Sequence, residues 1–111
     1  MKNEYGEVLD NNGYAPSLLG DWSYCAMCFH FSPALQRHEV FHNDMGGRTR
    51  SKSKNYGLWI SVCPLCHARI HTKKEISDAL KRRGQRMAMN KYGWTLKDWR
   101  ERFGKSYLEI S

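Results

Sequence analysis

The sequence predicts a single α+β domain, and three observations carry that expectation. Two β-type runs, "ALQRHEVF" (34–41) and "YGLWISVC" (56–63), flank a polar, glycine-containing stretch, as the arms of a hairpin do. A helical pattern comes next, with Pro64 in its first turn and Ile70, Ile76, Leu80 and Met87 at near-helical spacing. Two Cys-x-x-Cys pairs, Cys25/Cys28 and Cys63/Cys66, bracket the hairpin.

Residues 1–20 are polar, carry Gly6, Gly13, Pro16 and Gly20, and show no sustained periodicity. They are expected to form a loosely ordered arm, leaving 21–111 as one domain. The stretch "HNDMGGRTRSKSKN" (42–55) holds Gly46-Gly47 and is expected to be a loop. The helix after the second cysteine pair is expected to end near residue 83, where Gly84 separates it from a shorter helix at 85–92. Thr95 precedes an apolar-periodic run and caps a further helix in the tail "TLKDWRERFGKSYL". A core at about 25–83 and a helical tail at 85–111 result.

A chain of 111 residues buries only a modest core, so a staple contributes much at this size. Its net charge of +7 favours polyanions, of which nucleic acids and anionic membranes are the common ones. No apolar run approaches the roughly 18 residues needed to span a bilayer. The start "MKNEYGEVLDNNGY" lacks the apolar segment of a signal peptide, so a soluble, cytoplasmic protein is expected.

In a reducing compartment, cysteines paired at this spacing are better explained by metal than by the two disulfides of a secreted protein. Structural zinc takes four ligands in a tetrahedron, and Cys25, Cys28, Cys63 and Cys66 supply four. The intervening segment, 29–62, is longer than the roughly 15–20 residues of an ordinary zinc ribbon and long enough for a complete hairpin. A zinc on all four thiolates would clamp the base of that hairpin, converting metal affinity into folding energy.

If that zinc saturates the cysteines, the histidines of "CPLCHARIH" (63–71) are free for other chemistry. His67 and His71 are four apart, which stacks them on one helix face within reach of one cation. The plain alternatives are two solvated histidines, or one histidine completing a zinc site that uses three cysteines. "RHEVFH" tips the balance, because it offers His38, Glu39 and His42 on the strand that the cysteine clamp brings close. A metal gripped by strand and helix with an open position is a catalytic arrangement.

This combination of Cys-x-x-Cys, "RHEVF", a Gly- and Arg-containing loop, "YGLWISVC" and Cys-x-x-Cys-His-x-x-x-His resembles the HNH endonuclease family, specifically its small zinc-containing phage-type members. The likeness covers residues 25–71 by motif, and "GQRMAMNKYG" and "FGKSYL" are similar to the segments after the motif in such members. It implies a ββα-metal fold in which a hairpin and a helix hold one divalent cation, Mg²⁺, Mn²⁺ or another, over a scissile DNA phosphate. His67 matches the metal-binding histidine after the second knuckle, and His71 the further ligand four residues on. The family's strand carries an adjacent pair, a metal-binding Asp or His and then a general-base His. Here the pair reads His38-Glu39, with His38 at the ligand position and Glu39 where the base is expected. The reverse assignment, His38 as base and Glu39 as ligand, suits a hard cation. His42 is a reserve ligand. For the family's central Asn the candidates are Asn55 and Asn43, with Asn55 the better placed. Partners in a phage packaging machinery are a further implication of the resemblance alone.

Basic residues supply the expected DNA surface. Arg48, Arg50, Lys52 and Lys54 alternate in "GGRTRSKSK", and in an extended segment all four face one side. Lys81, Arg82, Arg83 and Arg86 form a second cluster after the histidines. Trp59, Trp94 and Trp99 are expected in the core rather than as base-stacking platforms. The expected activity is hydrolysis of DNA phosphodiester bonds with little sequence readout. The rival is a non-catalytic zinc module that binds nucleic acid through its basic face, and a third reading is a protein-interaction zinc module.

Overall fold

A computed structural model of the chain describes residues 1–20, 23–42 and 47–108. Strand β1 (Gln36–Glu39) is followed by α1 (Arg50–Asn55), β2 (Trp59–Val62), α2 (Pro64–Thr72), α3 (Lys74–Tyr92) and α4 (Leu96–Phe103). The described residues thus form a small α+β domain with a two-stranded sheet and four helices. None of these helices is long and apolar enough to cross a membrane.

The two β-type runs pair as an antiparallel hairpin, with His38 opposite Ile60 and Glu39 opposite Trp59. The strands are shorter than the runs that signalled them, and the polar link between them holds a helix where a loop was expected. Helix α1 buries Ser53 and comes after buried Thr49, so its inward face is made of hydroxyls. Ser53 Oγ accepts from the Phe41 amide at 3.2 Å and donates to the Leu58 carbonyl at 2.5 Å. Thr49 donates to the Phe41 carbonyl. These bonds tie the end of β1 to the approach to β2, satisfying backbone groups that leave the ladder.

Gly57 lies in the turn before β2 at φ +73°, and a Cβ there would overlap the Pro16 carbonyl oxygen. Only glycine permits both that backbone and that close approach. The N-terminal arm is irregular but packed, in contrast to the loose arm expected. Ala15 and Leu19 are buried, Asn3 donates to the Asn55 carbonyl at 2.8 Å, and Tyr5 stacks on Tyr92 at 4.4 Å.

The helical stretch breaks at Lys73, whose backbone is extended (φ −114°, ψ 101°), and α3 then runs unbroken through Gly84. The break expected at Gly84 is therefore misplaced. Gly84 is buried against Phe41, whose ring would lie 3.3 Å from an added Cβ, so the missing side chain serves helix–core packing. Helix α4 starts as expected: Thr95 and Asp98 form a reciprocal capping box. Phe41, Trp99 and Phe103 centre the core, with Trp99 stacked on Phe103 at 4.2 Å. Trp59, Trp94 and Trp99 are all buried, in line with the expectation from sequence.

Candidate functional site

Cys25 and Cys28 lie in a tight turn in which the Cys25 sulfur accepts from the amides of Met27 (3.4 Å) and Cys28 (3.5 Å). Cys63 ends the sheet as the N-cap of α2, and Cys66 sits in the first turn of that helix. One sulfur from each of Cys25, Cys28, Cys63 and Cys66 lies within 4.8 Å of the others, close enough to hold a metal ion, and none is in a disulfide. Burial raises the Cys25 thiol, but amide donors from Cys28, Cys63 and Met27 outweigh it and bring it down to about 6. Burial and the neighbouring thiols push Cys66 up to about 12. Four thiols this close ionise together only around a cation, which is the chemistry of a metal knuckle.

Helix α2 also carries a second set. His67 and His71, one turn apart, meet His38 from β1, and one nitrogen from each lies within 4.8 Å of the others. Ring centroids stand 5.3 Å (His38–His67), 5.2 Å (His38–His71) and 4.8 Å (His67–His71) apart. His67 Nδ1 faces the Gln36 amide oxygen at 2.7 Å and therefore carries its proton there, leaving Nε2 to accept or ligate. His42 donates in the same way from Nδ1 to the Glu39 carbonyl at 2.9 Å, and its ring lies 5.3 Å from both His38 and His71. Burial first, then neighbouring His42, His67 and His71, push His38 down to about 3, so it is a neutral lone-pair donor at ordinary pH. Burial and His71 also lower His67.

These rings line a cavity of about 270 Å³ together with Arg37, Glu39 and Arg50. Glu39 is 5 % exposed, and both its oxygens are engaged: Oε1 with Arg50 Nε at 2.7 Å, Oε2 with the Tyr14 hydroxyl at 3.0 Å. Burial, then the hydrogen bond to Glu39, push the Tyr14 phenol up to about 12, so it remains a neutral donor.

The residues expected from sequence come together in part. His38, Glu39, His67, His71 and His42 share one cavity, and the four cysteines form their own cluster. Asn55 is not on the cavity wall; it ends α1, and its carbonyl accepts from Asn3. Asn43 lies outside the described residues. The row of cations expected on one side of an extended loop does not form, because residues 50–55 are helical and alternate residues point to different sides. Arg48 is exposed before the helix, Arg50 turns to Glu39, Lys52 donates to the Arg102 carbonyl at 2.8 Å, and Lys54 lies 4.9 Å from the Tyr14 ring. On α3, Arg82, Arg83 and Arg86 spread around the helix surface, while Lys81 sits 5.1 Å from the Tyr107 ring. Lys81 also lines a second cavity that shares His42 and His71 with the first.

Gln36 and Tyr14 escaped the reading of the sequence. Gln36 was findable, since two residues before His38 on a strand is the same face. Tyr14 gave no signal, because its partner is 25 residues away and its own segment lacks periodicity.

Fold and site together describe a small α+β domain with two candidate metal-binding clusters that share helix α2. No family model, curated protein or solved structure matches the chain.

Proposed function

We propose that the protein is a metal-dependent endonuclease of the HNH type, hydrolysing DNA phosphodiester bonds within a ββα-metal core formed by β1, β2 and α2. The observation that carries this reading is the convergence of His38, His67 and His71 within 4.8 Å, beside the buried Glu39 carboxylate, in a cavity apart from the cysteines. Zinc on Cys25, Cys28, Cys63 and Cys66 would hold the scaffold. His38, His67 and His71 would hold Mg²⁺, Mn²⁺ or another divalent cation, which when bound supplies Lewis-acid stabilisation of the phosphate and the leaving 3′ oxygen.

The residues divide the remaining work. Gln36 keeps the proton of His67 on Nδ1 and so presents Nε2. His38, neutral in its burial and grouped with His67 and His71, has a lone pair to offer the cation. Glu39 takes the proton of the attacking water, since each carboxylate oxygen has an acceptor position beyond the one already occupied. Lys81, which lines the cavity that shares His42 and His71, and exposed Arg48 would contribute phosphate contacts, while Arg82, Arg83 and Arg86 extend the basic surface around α3; such contacts read no sequence.

The test is cleavage of supercoiled plasmid by zinc-loaded protein with added Mg²⁺ or Mn²⁺, beside His67→Ala of equal zinc content. Metal-dependent nicking that the variant loses supports the reading. Binding without cleavage in both preparations replaces it with the non-catalytic nucleic-acid module.

A further inference from the structure

One group on the cavity wall, the Glu39 carboxylate, is held from outside the hairpin-and-helix motif. The Glu39 carboxylate is gripped by two elements at once, Arg50 of α1 on Oε1 and Tyr14 of the N-terminal arm on Oε2. A carboxylate held by one donor still turns about its last side-chain bond; two donors from separate elements fix its plane.

The arm is built to deliver that hydroxyl. Asp10 closes a loop over residues 10–14: its Oδ1 accepts from the Asn12 (2.9 Å) and Tyr14 (3.0 Å) amides, and its own amide donates to the Tyr14 carbonyl (2.9 Å). Arg37 of β1 pairs with Asp10 at 2.7 Å and lies 4.2 Å from the Tyr14 ring centre. Trp59 meets that ring edge-on at 5.4 Å and donates to the Ala15 carbonyl at 2.7 Å. Trp59 is also the strand partner of Glu39, so the arm is fastened to both members of one cross-strand pair, to Glu39 through Tyr14 and to Trp59 through Ala15.

We infer that Tyr14 is a positioning residue: the 10–14 loop completes the site by holding, with Arg50, the Glu39 carboxylate in one orientation toward the cavity. The inference rests on the nuclease reading for the role it gives Glu39, while the hold itself is independent of that reading.

The experiment compares wild type, Tyr14→Phe, Glu39→Gln and the double variant in plasmid nicking with Mn²⁺, all at equal zinc content. Phenylalanine keeps the ring against Trp59 and Arg37 and removes only the hydroxyl. Tyr14→Phe is expected to lower kcat about tenfold with KM unchanged, and to cost nothing further when Glu39 is already Gln. Wild-type kcat in Tyr14→Phe, or a loss that persists in full in the Glu39→Gln background, overturns it while leaving the nuclease standing. A wild type that fails to nick removes the nuclease instead, and the hold is then decided by solvent exchange of the Arg50 Nε–H proton. Exchange that speeds severalfold in Tyr14→Phe supports it; equal exchange in both proteins overturns it.

Discussion

Replacing Ser53 by Ala tests how the hairpin that carries His38 is held. Ser53 is fully buried on α1, and its hydroxyl serves the Phe41 amide at 3.2 Å and the Leu58 carbonyl at 2.5 Å. The Leu58 carbonyl keeps a second donor, the Val40 amide at 3.0 Å, so its loss is one ordinary hydrogen bond, about 1 kcal/mol. The Phe41 amide is left buried and unpaired, which costs about 1–3 kcal/mol. The better helix propensity of alanine returns roughly 0.5 kcal/mol. The expected net loss is about 1.5–3.5 kcal/mol, a large share of the stability of a domain this size. Urea unfolding at fixed zinc, followed by fluorescence of the buried tryptophans, reads it as a fall in midpoint of about 1–2 M. Ser51→Ala, exposed on the same short helix, is the control and is expected within about 0.5 kcal/mol of wild type. A Ser53→Ala loss no larger than the control's would refute the claim that α1 fastens the hairpin through hydroxyls.

Three further outcomes are expected. With zinc on the four cysteines as proposed, Cys66→Ala or a strong chelator should remove it and leave the chain largely unfolded by far-UV circular dichroism, because such a knuckle's affinity would be folding energy. The carboxyl of Glu7 is raised by burial but lowered more by hydrogen bonds from Tyr92, Asn3 and Lys91, which hold it below the usual carboxylate range in the folded chain. The unfolded chain then takes the proton first as pH falls: the contribution is complete above about pH 5 and is lost progressively below it, and urea midpoints should fall less steeply with acid in Glu7→Gln. Finally, Arg82→Ala with Arg83→Ala should reduce the slope of log affinity for duplex DNA against log salt by about 1–2, since each phosphate contact releases counterions. Lys52→Ala should change that slope less, its ammonium being held against the Arg102 carbonyl.

Local pattern is the part of this fold that was legible in the sequence. The hairpin was signalled by β-type runs, the cysteine cluster by two close spacings, the stacking of His67 on His71 by helix period, and α4 by its Thr95 cap. Helix α1 was invisible because it buries only Ser53, next to buried Thr49 at its N-cap, and two hydroxyls make no hydrophobic period; their partner is Phe41, just past the end of β1. The break at Lys73 carries no glycine or proline, so nothing local marks it. It lets α2 turn its cysteines and histidines to the hairpin while α3 turns Leu80, Gly84 and Ala88 to the core. The arm was misread for a related reason: Asn3, Tyr5 and Tyr14 bind polar groups and rings far along the chain, at Asn55, Tyr92 and Glu39. Polar tertiary contacts leave no periodic trace, and here they build part of the site.

The proposed mechanism depends on one helix serving two metals with separate ligands. The most direct measurement is the number and type of divalent ions bound per chain after saturation with zinc and Mn²⁺, in wild type and in His67→Ala. Two ions are predicted in wild type, and in the variant a single thiolate-bound zinc with an unchanged fold. One ion in both proteins, or loss of the zinc when His67 is replaced, would contradict it.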